Sequence, residues 1–352
     1  MTPPLTPVVF TPHFKEKPWG GRSLERLFGK SLPPGAPIGE SWELADFPGE
    51  QSRVARGPLA GKTIAELMRA WGTGLLGSAT ACAGRFPLLI KFLDAREMLS
   101  LQVHPRPRSI DEPATQAPIK NEAWYVLDAD PDARMYIGLQ PGGTPEEIEG
   151  QLRRTIELPS QDRSAASDAF LRLLQPRAAQ RGDYFYLPSG TPHALGAGFV
   201  VAEIQTPSDV TYRLYDWGRV GTDGRPRELH VDDALRNMRY DVAEAEIIQP
   251  PARCRDTIEY RERLIACQSF RIERVCFKPE IQYSAPAGEM CVWILLNGQL
   301  VLDTGGAEQS FSAGDVILLP AELKQREALS ETGCEMLDVS VPPLKTKDGP
   351  TA

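Results

Sequence analysis

Short apolar runs of strand length, set among Gly, Pro and Asp, recur from one end of this sequence to the other. They are Pro7–Phe10, Leu88–Leu93, Leu99–Val103, Ala123–Leu127, Asp183–Leu187, Val200–Ile204, Val210–Leu214, Phe270–Val275, Cys291–Leu296, Gln299–Leu302 and Asp315–Leu319. Their β-branched and aromatic content suits pleated, half-buried surfaces. With 32 Pro and 30 Gly dispersed between them, the chain reads as mainly β, built from many short strands and turns.

Helical patterns are a minority. Thr63–Trp71 spaces Ile64, Leu67, Met68 and Trp71 on one helical face. Thr144 is placed as an N-cap, with Pro145 at the first helical position and acids in the first turn. A further helix is expected over Ala166–Leu174, so residues 143–178 read as a helical insertion. Val231–Met238 is the last expected helix. The Ile247–Ala252 stretch marks a boundary. It divides the chain into an N-terminal domain over 1–248, a compact all-β domain over 249–344, and a polar, frayed tail over 345–352.

Composition narrows the function classes. The 352 residues carry 39 Lys+Arg against 47 Asp+Glu, a net charge of −8. With a pI near 5.3, this is no general binder of nucleic acid or anionic membranes. No apolar stretch approaches the ~20 residues of a spanning helix, and Met1–Pro7 has neither a basic nor an apolar leader region. The 6 cysteines are scattered without a CxxC pair. They read as reduced thiols of a cytoplasmic protein.

Only 4 histidines are present: His13, His104, His193 and His230. Gln102 and His104 lie two apart in a strand-like run and share a face. His193 follows a strand and a tight turn, and Lys120 and Glu122 share a face at the start of another strand. Two His, one Glu and one Gln suit Zn²⁺ or a similar first-row divalent ion. The same residues also read as hydrogen-bonded rim histidines and a solvated strand face. His13 and His230 have no partner pattern and read as structural.

Gly182-x5-Pro188-x-Gly190-x2-His193 resembles the second motif of the cupins, a family of small β-barrels, save for Ala197 at the final Asn position. Leu101–Pro105, Lys120–Tyr125, Pro188–Gly196 and Glu203–Arg213 follow in order, with Lys17–Gly21, Gly39–Glu43 and Tyr215–Arg219 in support. The set resembles type I phosphomannose isomerase (mannose-6-phosphate isomerase) in its short bacterial form, over most of residues 8–240. The resemblance implies two cupin, jelly-roll-like β-barrels with a small helical insertion. It implies a metal-dependent aldose–ketose isomerase interconverting mannose 6-phosphate and fructose 6-phosphate through a cis-enediol. One Zn²⁺ per chain would be held by Gln102, His104, Glu122 and His193. Arg213 would be catalytic, with Lys120 and Glu203 beside it, and Ser100, Lys91 and Arg219 would contact the phosphate.

Other readings stay open on the residues alone. Glu203 and Arg213 also fit an ion pair on neighbouring strands, and Lys120 a surface charge. A different cupin enzyme, such as an iron-dependent dioxygenase or another sugar isomerase, would declare itself by its metal. A non-catalytic sugar-phosphate sensor would not need Lys120, Glu203 and Arg213 alongside the ligands. The second domain keeps Gly314-x5-Pro320 but places Glu322 and Gln325 where the glycine and histidine would stand. It is expected to pack as a barrel without a metal site.

Overall fold

The structure is a computed structural model describing residues 2–107, 118–142, 144–157, 163–221, 224–249, 252–255, 259–303 and 308–343. The tail expected over 345–352 lies outside the described residues. The chain forms two compact units: Met1–His13, Trp42–Ile90 and Pro250–Ala352 make unit 1, and Phe14–Ser41 with Lys91–Gln249 make unit 2. Residues 1–13 and 42–90 cluster with the C-terminal segment and not with the rest of 1–248.

Two sheets supply the site-bearing strands. One runs in the order β2 (His13–Gly21), β3 (Ile38–Leu44), β4 (Leu89–Ala95), β11 (Phe199–Gln205), β6 (Glu122–Ala129) and β9 (Tyr184–Leu187). The other runs β12 (Tyr212–Tyr215), β5 (Leu101–Val103), β10 (His193–Ala194), β7 (Arg134–Leu139) and β8 (Leu174–Ala178). β4, β6 and β11 are almost wholly buried, which explains their near-continuous apolar text. Trp124, Val126, Phe199 and Val201 of the first sheet share a core with Met135 and Ile137 of the second.

The expected insertion holds helices over Pro145–Ile156 and Arg163–Leu173. The Thr144 hydroxyl accepts from Glu147 N–H, and the Glu147 carboxylate accepts from Thr144 N–H. The insertion closes as a strand, not a helix: β8 contains Pro176 and lies at the edge beside β7, where a missing N–H is tolerated.

In unit 1 the sheet runs β1 (Val8–Val9), β19 (Val316–Leu319), β17 (Cys291–Asp303), β21 (Cys334–Ser340), β15 (Arg271–Phe277), β14 (Glu259–Ala266) and β13 (Ala252–Arg255). β16 (Gln282–Ser284) and β18 (Glu308–Ser312) join through β20 (Glu327–Leu329) and β17. The N-terminus enters this unit for a physical reason. Val8 pairs with Leu318 as an edge strand, and the Ala321 N–H donates to Leu75 O at 2.9 Å.

The two units repeat one strand arrangement. In unit 2, β6 sets Glu122 opposite Gln205 and Leu187, and Trp124 opposite Glu203 and Phe185. In unit 1, β17 sets Cys291 opposite Ser340 and Leu319, and Trp293 opposite Asp338 and Ile317. Cys291 thus takes the place of Glu122, and Asp338 that of Glu203. Among the described residues, no helix is long and apolar enough to cross a membrane.

Candidate active site

Antiparallel pairing brings the expected ligands together. His193 on β10 sits opposite Gln102 on β5, and Gln102 also faces Arg213 on β12. Glu122 enters as the first residue of β6. Its Oε1 lies 3.0 Å from His193 Nε2 and 3.3 Å from His104 Nε2. The Gln102 amide comes within 3.1 Å of His193 Nε2, so its carboxamide oxygen can turn to the same point.

The donor set fits a divalent ion. One donor atom each from His104, Glu122 and His193 lies within 4.8 Å of the others, and all three residues are buried. His104 Nδ1 donates to Val210 O at 3.0 Å and His193 Nδ1 to Thr191 O at 2.8 Å. Each bond fixes the tautomer that leaves Nε2 unprotonated and able to accept, the usual support for a ligating imidazole. Neither oxygen of Glu122 receives a hydrogen bond, although the residue is fully buried. The Lys120 ammonium forms an ion pair with Oε2 at 2.7 Å. A buried carboxylate with unfilled lone pairs beside two oriented imidazoles calls for a cation.

Protonation follows the same logic. Burial first, and the Lys120 charge second, push His104 down to about 3, so its ring is neutral near pH 7. Burial alone would raise the Glu122 carboxyl. Lys120, His104 and His193 outweigh it and hold it well below the usual carboxylate range.

The ligands open onto a polar cavity of about 240 Å³. Lys17, Glu40, Lys91, Ser100, Gln102, Lys120, Glu203, Asp209, Arg213 and Arg227 are among its lining residues. Glu203 Oε2 accepts from Trp124 Nε1 at 3.0 Å, while Oε1 stands 3.4 Å from Lys91 Nζ and 3.8 Å from Lys120 Nζ. Glu203 and Arg213 are therefore not the simple ion pair that the residues alone allowed. Lys120 is buried and faces the ligands, not the surface.

Of the three residues expected at a phosphate, Ser100 and Lys91 line the cavity and Arg219 does not. Lys91 does not reach the rim, since Glu40 and Asp209 also lie 3.6 and 3.7 Å from its Nζ. Burial would lower its pKa, and these carboxylates reverse the shift and raise it. The Arg219 guanidinium is turned away, onto Met98 O and Asp216. Arg227 is the residue that sequence reasoning missed. It grips Asp216 through Nε at 2.7 Å and still lines the cavity. Burial and the neighbouring Arg227 push the Arg213 guanidinium below its ordinary value, the mark of a cation-rich corner.

The model of the type I phosphomannose isomerase catalytic domain matches residues 8–152. The mannose-6-phosphate isomerase ManA of Bacillus subtilis (strain 168) is 33% identical over 325 residues, which span 89% of this chain and 93% of that protein. The chain belongs to the mannose-6-phosphate isomerase family. Another family member, the mannose-6-phosphate isomerase of Streptococcus mutans, is 36% identical over 65% of this chain and 66% of its own length. Among solved family structures, that of the Bacillus subtilis mannose 6-phosphate isomerase superposes with a TM-score of 0.81 at 28% identity, covering 95% of this chain and 99% of that one. The apo form from Salmonella typhimurium shares the fold, with a TM-score of 0.74 at 16% identity over 95% and 99% of the two chains. The family's cupin fold accounts for the mainly β architecture and for the paired sheets that meet at His104, Glu122 and His193.

Proposed function

We propose that this chain interconverts mannose 6-phosphate and fructose 6-phosphate through a cis-enediol, with Gln102, His104, Glu122 and His193 holding a Zn²⁺ ion. The observation that carries this is the fully buried Glu122, without a hydrogen bond, between two imidazoles whose Nε2 atoms face it. Nitrogen and hard-oxygen donors suit zinc. When bound, the ion supplies a fixed positive charge for the sugar oxygens on C1 and C2.

The protein residues divide the remaining work. Isomerisation removes a proton from one of C1 and C2 and delivers one to the other. Lys120 Nζ lies 3.2 Å from His104 Nε2 and faces Glu122, and a lysine ammonium offers donors and no acceptor. It therefore serves the oxygens as a proton donor. Of the cavity carboxylates, Glu203, flanked by Lys91 and Lys120, is the one we assign to take the carbon-bound proton. Arg213, in register with Gln102, points a second cation at the developing oxyanion.

The phosphate belongs at the arginine corner. Lys91 is neutralised by Glu40, Glu203 and Asp209, whereas Arg219 and Arg227 both pair with the single Asp216 and Arg213 adds a third guanidinium beside them. We assign the phosphate to Ser100 and Arg227, with Arg219 orienting Asp216.

The test is a coupled assay for fructose 6-phosphate from mannose 6-phosphate, on protein as purified, after chelation and after Zn²⁺ is restored. Loss on chelation and recovery with zinc is the expected result. Folded, zinc-loaded protein without activity would overturn the substrate assignment.

A further inference from the structure

We propose that His230 is a positioning residue for Arg213, which it holds in register by acting as a substitute strand neighbour. The proposal rests on the role given to Arg213 above.

Among the described residues β12 is the edge strand of its sheet, paired only with β5. Its register with β5 shifts between Arg213 and Tyr215, so the ladder is irregular just where Arg213 must be held. An edge residue of this kind leaves its N–H and C=O facing outward without a strand partner. His230 takes both. The Arg213 N–H donates to His230 Nδ1 at 3.3 Å, and the His230 N–H donates to Arg213 O at 2.7 Å. Two residues earlier the same segment catches the side chain, with Arg213 Nη1 donating to Glu228 O at 2.8 Å. One residue before that, Arg227 is anchored on Asp216.

The short stretch 227–230 thus fixes the backbone of Arg213 on both polar groups and its guanidinium at one nitrogen. It also delivers Arg227 to the cavity. The helix Val231–Asn237 follows at once and docks Ala234 and Leu235 in the core shared with Leu101 and Leu214, which makes the stretch a rigid brace. The imidazole contributes an acceptor that a main-chain carbonyl supplies in a regular ladder. Misplacement of a catalytic cation by a fraction of an ångström is costly in rate and nearly silent in ground-state binding.

The experiment compares zinc-loaded H230A, H230N and R213M with the unaltered chain in steady-state kinetics, with metal content measured for each. H230A is expected to lose about tenfold or more in kcat with KM and zinc content unchanged. H230N is expected to recover to within about threefold, because its carboxamide oxygen reaches the place of Nδ1. A packing role alone would leave H230N no better than H230A, and that result overturns the proposal. Normal kcat in H230A with an inactive R213M overturns it while leaving the role of Arg213 intact. An active R213M removes the role of Arg213 and this proposal together.

Discussion

Glu203 offers one oxygen to the Trp124 indole and the other to Lys91 and Lys120. The Glu203→Gln change separates these tasks. Glutamine keeps an acceptor for Trp124 and removes the charge and the basicity. We expect kcat to fall by about 10²–10⁴-fold with bound zinc unchanged, the range for loss of a general base. Steady-state kinetics with metal analysis checks this, and a kcat within threefold of the parent removes Glu203 from the proton path. At this scale the grouping of His104, Glu122 and His193 was legible only through the family resemblance of their motifs, since the residues alone read equally as rim histidines and a solvated strand face. Arg227, Asp209 and Glu40 were not legible, because only the fold brings them to the cavity. The carboxylates around Lys91 likewise come from separate segments that its neighbours in sequence do not reveal.

Elements were legible where local chemistry decides them. The helix Ile64–Trp71 begins as expected, with Thr63 Oγ1 accepting from Glu66 N–H at 3.1 Å and the Glu66 carboxylate accepting from Thr63 N–H at 2.8 Å. Thr63→Ala is expected to cost about 1 kcal/mol, a fall in Tm of about 2–4 °C in a unit of this size. The Thr63 N–H, followed by Lys62, holds the Glu66 carboxyl down to about 2 from 4.5. A depressed carboxyl stabilises above its unfolded value and loses that contribution as pH falls through the folded one. The Tm gap between the parent and Glu66→Gln should therefore be constant above pH 5 and shrink toward pH 2. A gap that widens on acidification would contradict the cap. β2, β3 and β14 escaped sequence reading. β2 contains Pro18, Gly20 and Gly21, and β14 alternates charges through Glu259, Arg261, Glu262 and Arg263. Their strand character comes from pairing with neighbours and not from their own propensity.

At the scale of the whole molecule, one strand plan serves two chemistries. Where unit 2 sets His193 Nε2 3.0 Å from Glu122, unit 1 sets Arg326 Nη2 3.3 Å from Cys291, the residue in the place of Glu122. The Arg326 guanidinium also donates to Pro286 O and, at 2.8 Å, to Glu289 O, and the side chain is only 3% exposed. Burial first, and Asp338 second, hold the Cys291 thiol well above its ordinary value, so Cys291 is a neutral neighbour and not a metal-ready thiolate. A permanently charged fork thus bridges strand and loop in unit 1, at the position where unit 2 gathers ligands for an ion. The consequence is a separation that unfolding experiments can read. Chelation withdraws a ligand from unit 2 and lowers stability by linkage. Arg326→Met removes three contacts of a buried cation from unit 1 and is expected to cost about 2–5 kcal/mol. Arg326→Lys keeps the charge without the fork and should recover only part of the loss. Because the two perturbations share no residue, the cost of Arg326→Met in urea unfolding should be the same with and without chelator. A cost below about 1 kcal/mol would show that the guanidinium is dispensable to unit 1. A cost that vanishes in the chelated protein would show that Arg326 acts on the metal-binding unit instead.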